Sequence, residues 1–261
     1  MKVTLIVSTY NRPDALVLCL ESIFRQTVLP GEIIIGDDGS KQETVDVIRE
    51  YQKKSPVPLI HIWQEDNGFQ LAKARNKCIA RACYEYIVQV DGDLVLHEHF
   101  IEDHLLFAER GYYVKGGRVN IDNRLTTRLC SERHYVRLGF FSRGLMRRIN
   151  AIHCLPLARY LAVRRKTAPG LGCNMGFWRE DAIKVNGYDE FYVGWGGEDY
   201  DFAIRMLHSG LQKKSLKFAG IVFHLWHNDL YMDNQDKNFS HYHAVENSAS
   251  TWCEKGVAQY L

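Results

Sequence analysis

The sequence predicts an α/β fold with a mostly parallel central sheet flanked by helices. In the N-terminal half, short apolar runs alternate with segments of helical period, which is the pattern of strand and helix units laid side by side. Three of these runs end abruptly in polar clusters, as expected where an open parallel sheet presents its ligand-binding edge. Composition agrees: 261 residues at 46% hydrophobic and 25% charged can bury a substantial core, so disorder is not expected.

Val3 to Val7 reads as the first strand and Ile33-Ile34-Ile35 as the second. Leu59 to Trp63 and Tyr86 to Val90 give two more, each bounded by turn or polar residues. Leu16, Leu20, Ile23 and Phe24 recur at spacings of three and four and so build one apolar helix face, with Pro13 fitting its first turn. Leu71, Ala74, Cys78 and Ile79 repeat that pattern before the fourth strand. Tyr112 to Val119 reads as a strand or a turn. After it come a long basic stretch and glycine-rich segments around Gly170 to Gly176 and Gly194 to Gly197. A helix is expected to start near Asp199, because Phe202, Ala203, Met206 and Leu207 share a face and Gly210 is placed to end it. Ile221 to Phe223 then read as a late strand running into His224.

A net charge of +2 lacks the strong basic excess of a nucleic-acid binder. The seven cysteines are odd in number and scattered, with no Cys-x-x-Cys pair, which suits reduced thiols. The apolar run after Lys2 stops at Ser8-Thr9-Tyr10-Asn11, too short for a signal-peptide core or a membrane span. A cytoplasmic protein is expected.

The chemistry gathers at the strand ends. The first strand delivers Ser8-Thr9-Tyr10-Asn11-Arg12, the second Asp37-Asp38-Gly39-Ser40, and the fourth Asp91-Gly92-Asp93. Two carboxylates separated by one glycine can meet a divalent cation and a ribose without steric obstruction, although Asp and Gly also make plain surface turns. Asp37 and Asp38 could serve as a turn and helix cap, or one could accept the imide N–H of uracil while Tyr10 stacks on the base. Gly68 opens a turn into a helix carrying Lys73 and Arg75, and helix N-termini with nearby cations favour phosphate. Of the two, Lys73 fits the solvated face and Arg75 is the better ligand.

This ordered set of motifs, from Ser8-Thr9-Tyr10-Asn11-Arg12-Pro13 through Asp38 and the Gly68 to Asn76 segment to Asp91-Gly92-Asp93, resembles glycosyltransferase family 2, with the GT-A fold. The resemblance implies that Ser8, Tyr10 and Asp38 face the nucleotide base, and that Asp91 and Asp93 serve ribose and metal. In the second half, Gly194-Trp195-Gly196-Gly197-Glu198-Asp199 is similar to the acceptor-side motif of β-1,4-galactosyltransferases and bacterial chondroitin-type polymerases. That similarity makes Asp199 the catalytic base; the sequence departs from the galactosyltransferase pattern at Tyr200, where an acidic residue is usual. The resemblance therefore implies a single GT-A domain, with residues 1–120 holding the nucleotide sugar and 121–261 the acceptor.

Inverting sugar transfer needs one base to take the acceptor hydroxyl's proton, which suits Asp199. Acidic residues also complement the dipole at a helix start, so Glu198 or Asp201 could hold substrate or structure instead. Trp195 offers a sugar ring an apolar face, or else packs in the core. In related GT-A enzymes a histidine near this point completes the metal site, and Phe223-His224-Leu225-Trp226-His227 supplies two. Imidazole favours Mn2+ over Mg2+. If the segment stays extended, His224 and His227 cannot point the same way, so only one is expected to be a ligand, with His224 closer to the strand end.

From Arg133 to Arg179 there is no Asp or Glu, while Arg133, Arg137, Arg143, Arg147, Arg148, Arg159, Arg164, Arg165 and Lys166 lie among Leu, Phe and Ile. Such a segment could lie on the inner face of an anionic membrane, bind an acidic glycan, or form a solvated face beside the acceptor cleft. Pro156 and Gly144 would interrupt any single amphipathic helix.

The expected function is thus transfer of a sugar from a nucleotide-diphosphate donor, with UDP favoured, to a glycan or lipid-linked acceptor in cell-surface polysaccharide assembly. A catalytically silent sugar-nucleotide or glycan-binding protein is the alternative. A sugar nucleotidyltransferase would need a glycine-rich phosphate loop after the first strand, where this chain has Tyr10-Asn11-Arg12-Pro13. A dinucleotide oxidoreductase is excluded by the missing Gly-x-Gly-x-x-Gly turn.

Overall fold

The computed structural model describes residues 1–165, 172–228 and 234–261. The four expected strands are present as β1 (Val3–Thr9), β2 (Glu32–Asp37), β3 (Leu59–Trp63) and β4 (Tyr86–Asp91). They pair in parallel in the order β3-β2-β1-β4. Helices α1 (Pro13–Ile23), α2 (Gln42–Lys54) and α3 (Leu71–Arg81) fill the crossovers. Side chains alternate across a strand, so β1 feeds two cores. Leu5 and Val7 pack with Leu16, Leu20 and Ile23 of α1, while Ile6 packs on the other face with Cys78 and Ile79 of α3. Burial on both faces explains why β1, β2 and β4 are apolar runs and not alternating ones.

The chain continues through β5 (Leu94–Leu96), α4 (Phe100–Phe107), β6 (Tyr112–Lys115), β7 (Gly117–Asn120) and α5 (Asn123–Glu132). It then adds α6 (Leu155–Leu161), β8 (Val163–Arg165), β9 (Asn174–Trp178) and α7 (Arg179–Lys184). The last elements are α8 (Glu198–His208), β10 (Gln212–Ser215), β11 (Ile221–His224) and α9 (Gln235–Ser248). Among the described residues the main sheet has eight strands in the order β3-β2-β1-β4-β9-β6-β10-β8. β9 and β8 run against the others, so the sheet is mixed and mostly parallel.

Two segments differ from the sequence reading. Tyr112 to Val119 is two strands parted at Gly116: β6 joins the main sheet, and β7 joins a small sheet ordered β5-β11-β7. A Cβ on Gly116 would lie 2.4 Å from the Asn174 side chain and from the Gly220 carbonyl, so glycine is what lets the chain cross between sheets here. The glycine-rich stretch near Gly176 is the fully buried strand β9, inserted antiparallel between β4 and β6. Through β9 the second half of the chain enters the same sheet as the first.

Candidate active site

Register sets Thr9 beside Asp37 and Ser8 beside Asp91, so the polar ends of β1, β2 and β4 lie abreast. The loops that follow are tied together. The Asn11 N–H donates to Ser40 Oγ at 2.9 Å, and Asn11 Oδ1 accepts from the Lys41 N–H at 2.8 Å. Asp37 accepts from the Ser40 N–H at 2.8 Å and sits 2.9 Å from His61 Nε2, so it builds the turn. The Tyr10 hydroxyl donates to Asp66 Oδ2 at 2.9 Å. Ser8 Oγ is buried with no hydrogen-bond partner. Gly68, at φ +80°, lies in the open turn that leads toward α3.

Asp38 is held from two sides. Its Oδ1 accepts from Gln64 Nε2 at 2.6 Å and its Oδ2 from the Gln70 N–H at 2.7 Å. Both oxygens are thus engaged by the protein, and the carboxylate ties β2 to the start of α3. Burial pushes this carboxyl up to about 6.

Arg75 departs from expectation. It is fully buried on α3 and does not reach outward as a phosphate ligand. Its Nη1 donates to Asp199 Oδ1 at 2.6 Å and lies 3.6 Å from Glu198 Oε1, while Nη2 donates to Asp91 Oδ1 at 3.1 Å. The physical reason is charge: three carboxylates converge from β4 and α8, and a buried guanidinium fork is what can compensate them. Although burial opposes its charge, Asp199, Asp91 and Glu198 hold Arg75 well above the usual range. The next residue, Asn76, bonds the Tyr188 backbone through both side-chain atoms and Glu190 Oε1 at 2.9 Å. Helix α3 therefore brackets the two halves of the chain.

Asp199 opens α8 at the position that the sequence indicates, one residue after Glu198. Its Oδ2 accepts from the Gly172 N–H at 2.8 Å, and its side chain keeps 18% of its surface exposed. A Cβ on Gly172 would fall 1.8 Å from Asp199 Oδ1, so that close approach requires glycine. Two donors thus fix the carboxylate while leaving it within reach of a ligand. Glu198 is buried, and burial followed by the charge of Asp199 pushes it up to about 8. Trp195 is 41% exposed, which excludes the core alternative.

At the end of β11, Asp93, His224 and His227 place one ligand atom each within 4.8 Å of one another. His224 Nε2 and His227 Nε2 lie 3.7 Å and 3.4 Å from Asp93 Oδ2. The expectation that the two histidines cannot point the same way is corrected: β11 ends at His224, the Leu225 N–H bonds the Asp93 carbonyl at 3.0 Å, and strand alternation does not extend to His227. Burial holds His224 below the usual imidazole range, which favours the neutral, ligating form. Asp93 Oδ1 is buried without a hydrogen-bond partner. A carboxylate and two imidazoles with an unsatisfied oxygen fit a divalent transition metal. Arg12, expected to touch substrate, instead donates to Asp93 Oδ2 at 2.8 Å, so it compensates this carboxylate.

In the basic segment, Arg143, Arg147, Arg148 and Arg159 are exposed, while Arg133 pairs with Asp14 and Arg137 with Glu98. Exposed apolar side chains are interleaved with them, including Phe141 at 91% and Tyr160 at 86%. Its helical parts are short, as Gly144 and Pro156 suggest. Lys166 and Gly170 lie outside the described residues, and the side chains of Arg164 and Arg165 are likewise not described. Sequence reasoning missed the bonds of Asn76 to Tyr188 and Glu190 and the contact of Gly172 with Asp199, because each joins residues more than 25 positions apart.

Residues 4–167 match the family model described as glycosyl transferase family 2. The chain belongs to this family. A second model, described as the N-terminal domain of galactosyltransferase, matches residues 157–228, which end with the histidine pair. This family member is 25% identical over 243 residues to a chondroitin synthase of Escherichia coli, covering 83% of this chain and 34% of that protein. The chain thus spans only part of the curated relatives it matches, between 23% and 52% of their lengths. By fold it is similar to S. aureus TarS 1-349 in complex with UDP-GlcNAc (TM-score 0.65, 15% identity, covering 100% of this chain and 69% of that one). It is likewise similar to a mannosyltransferase from Pyrobaculum calidifontis in complex with GDP-Man and Mn2+ (TM-score 0.64, 17% identity, covering 95% and 64%). The fold is that of the GT-A glycosyltransferases.

Proposed function

We propose that this protein is an inverting, metal-dependent glycosyltransferase that moves a sugar from a nucleotide-diphosphate donor to a hydroxyl of a glycan or lipid-linked acceptor. The observation that carries the reading is the convergence of two groups. Asp199 stands ready on one flank of Asp91, joined to it through Arg75, and the Asp93, His224, His227 cluster stands on the other. Family membership supports it, as do the nucleotide sugars held by the two structural neighbours. UDP is the donor nucleotide we favour.

In this reading the acceptor hydroxyl passes its proton to the Asp199 carboxylate as its oxygen bonds the anomeric carbon, and the bond from that carbon to the nucleoside diphosphate breaks on the opposite face. Gly172 and Arg75 orient the base. Asp93, His224 and His227 would hold the divalent cation, and Mn2+ suits the imidazoles better than Mg2+. When bound there, such a cation supplies positive charge to the departing diphosphate. Trp195, exposed beside the base, offers an apolar face to a sugar ring. The exposed arginines and aromatics between Arg133 and Tyr160 would set the enzyme on an anionic membrane surface, near a lipid-linked acceptor. Assembly of a cell-surface polysaccharide is the process such chemistry suits.

The test is release of nucleoside diphosphate from UDP-, GDP- and dTDP-sugars with Mn2+, Mg2+ or EDTA, with calorimetric binding of each nucleotide in parallel. Turnover with a UDP-sugar that needs Mn2+ and stops in EDTA is expected. Absence of metal-dependent binding by every nucleotide would return the protein to the glycan-binding class.

A further inference from the structure

A cavity of about 520 Å3 opens between the ends of β7 and β9, away from the loops after β1 and β2. One wall, Cys173 and Asn174, directly follows Gly172, which holds Asp199. The opposite wall includes Asn120, the register partner of His224. The cavity is therefore one residue along the chain from the donor that holds the base, and one strand away from His224. Lys115, Arg118 and Arg147 line it, and none of its lining residues is acidic.

Lys115 and Arg118 are half-buried and have no acidic partner among the described residues. Among the described residues Arg118 reaches the Cys173 thiol, at 3.9 Å. Three buried cations of the protein are matched by carboxylates: Arg75 by Asp91 and Asp199, Arg205 by Asp201, and Lys214 by Glu109. Placing unmatched cations around one hollow costs free energy through desolvation and mutual repulsion. Burial and the neighbouring Arg118 hold the Lys115 amine below its ordinary range, in keeping with that cost. Asn120 and Asn150 add amide groups to the lining, so the hollow suits a polar ligand of negative charge.

We propose that this cavity receives an anionic group, a carboxylate or a phosphate, of the acceptor saccharide. The word acceptor rests on the transferase reading above; the charge preference does not. The nucleotide base has its candidate place elsewhere, since no residue of the loops after β1, β2 or β3 lines this cavity. An anion seated among Lys115, Arg118 and Arg147 would present a hydroxyl of the adjoining sugar toward Asp199.

The test is calorimetry on the full chain with three probes: a uronate-containing oligosaccharide, its carboxyl-reduced neutral counterpart, and a glycerol-phosphate oligomer. The parent is compared with Arg118→Gln and with Arg147→Gln, the latter being exposed and so safe for folding, and UDP with Mn2+ is titrated into each. At least one acidic probe should bind about 10-fold or more tighter than the neutral one, and each variant should lose about 10-fold of that affinity while UDP binding is unchanged. The acidic probe that binds tighter identifies carboxylate or phosphate as the source. Equal binding of the acidic and neutral probes, no binding of either acidic probe, or unchanged acidic-probe affinity in both variants would overturn the proposal. Absence of binding by UDP, and by GDP and dTDP titrated in the same way, in the parent would instead overturn the transferase reading, and the charge preference would still be read from the oligosaccharides alone.

Discussion

At the scale of the residue, the start of α8 packs two acids with opposite duties. Asp199 keeps a route to the surface, while Glu198 is buried beside it and beside Arg75. Burial and the charge of Asp199 raise Glu198 from 4.5 to about 8. A carboxyl raised on folding keeps its proton in the folded protein after the unfolded chain has lost it. Its contribution to stability is therefore complete below about pH 4.5 and is lost as pH rises to about 8. Glu198→Gln removes that dependence, so its melting temperature should gain on the parent's as pH rises through this window. Each 1 kcal/mol of difference corresponds to roughly 2–4 °C in a domain of this size. A constant gap across the window, measured by thermal denaturation, would contradict the assignment.

At the scale of the element, α3 is the part whose role differs most from its sequence. Lys73 and Arg75 are both cations near a glycine turn, and the rule that helix N-termini attract phosphate applies to each. What turns Arg75 inward is Asp199, 124 residues away, and local pattern carries no trace of it. Replacing Arg75 by Met leaves Asp199 and Asp91 without their shared cation, for which about 3–5 kcal/mol of destabilisation is expected. Arg75→Lys, with the charge but without the fork, should fall between; chemical denaturation measures both. The histidine pair shows the same limit. The sequence rule of strand alternation is sound, but β11 stops at His224, and the turn after it brings His227 back to Asp93. By contrast the four parallel strands, the α1 face and the start of α8 were legible to within a few residues, because each depends on its own periodicity and end signals.

At the scale of the whole molecule, the first hundred residues announce themselves through repeated local units, whereas the second half is organised by contacts made at long range. Strand β9 enters the sheet between β4 and β6, and no alternation marks it because both of its faces are buried. The same half carries the exposed surface between Arg133 and Tyr160. Among the described residues no helix is long and apolar enough to cross a membrane. Flotation with vesicles should show binding to anionic and not to zwitterionic lipid, weakened by salt and by the double change Phe141→Ser, Tyr160→Ser. Equal recovery with both lipids, or none with either, would remove the membrane from the account. The division of the molecule into a metal-dependent nucleotide side and a base-bearing acceptor side is its central claim. One paired measurement tests that claim most directly: turnover and nucleotide affinity in Asp199→Asn and Asp93→Ala. Asp199→Asn should lose about 10²- to 10⁴-fold in turnover while binding UDP as the parent does. Asp93→Ala should lose metal-dependent UDP binding itself. Parent-like turnover in Asp199→Asn, or parent-like metal-dependent binding in Asp93→Ala, would contradict it.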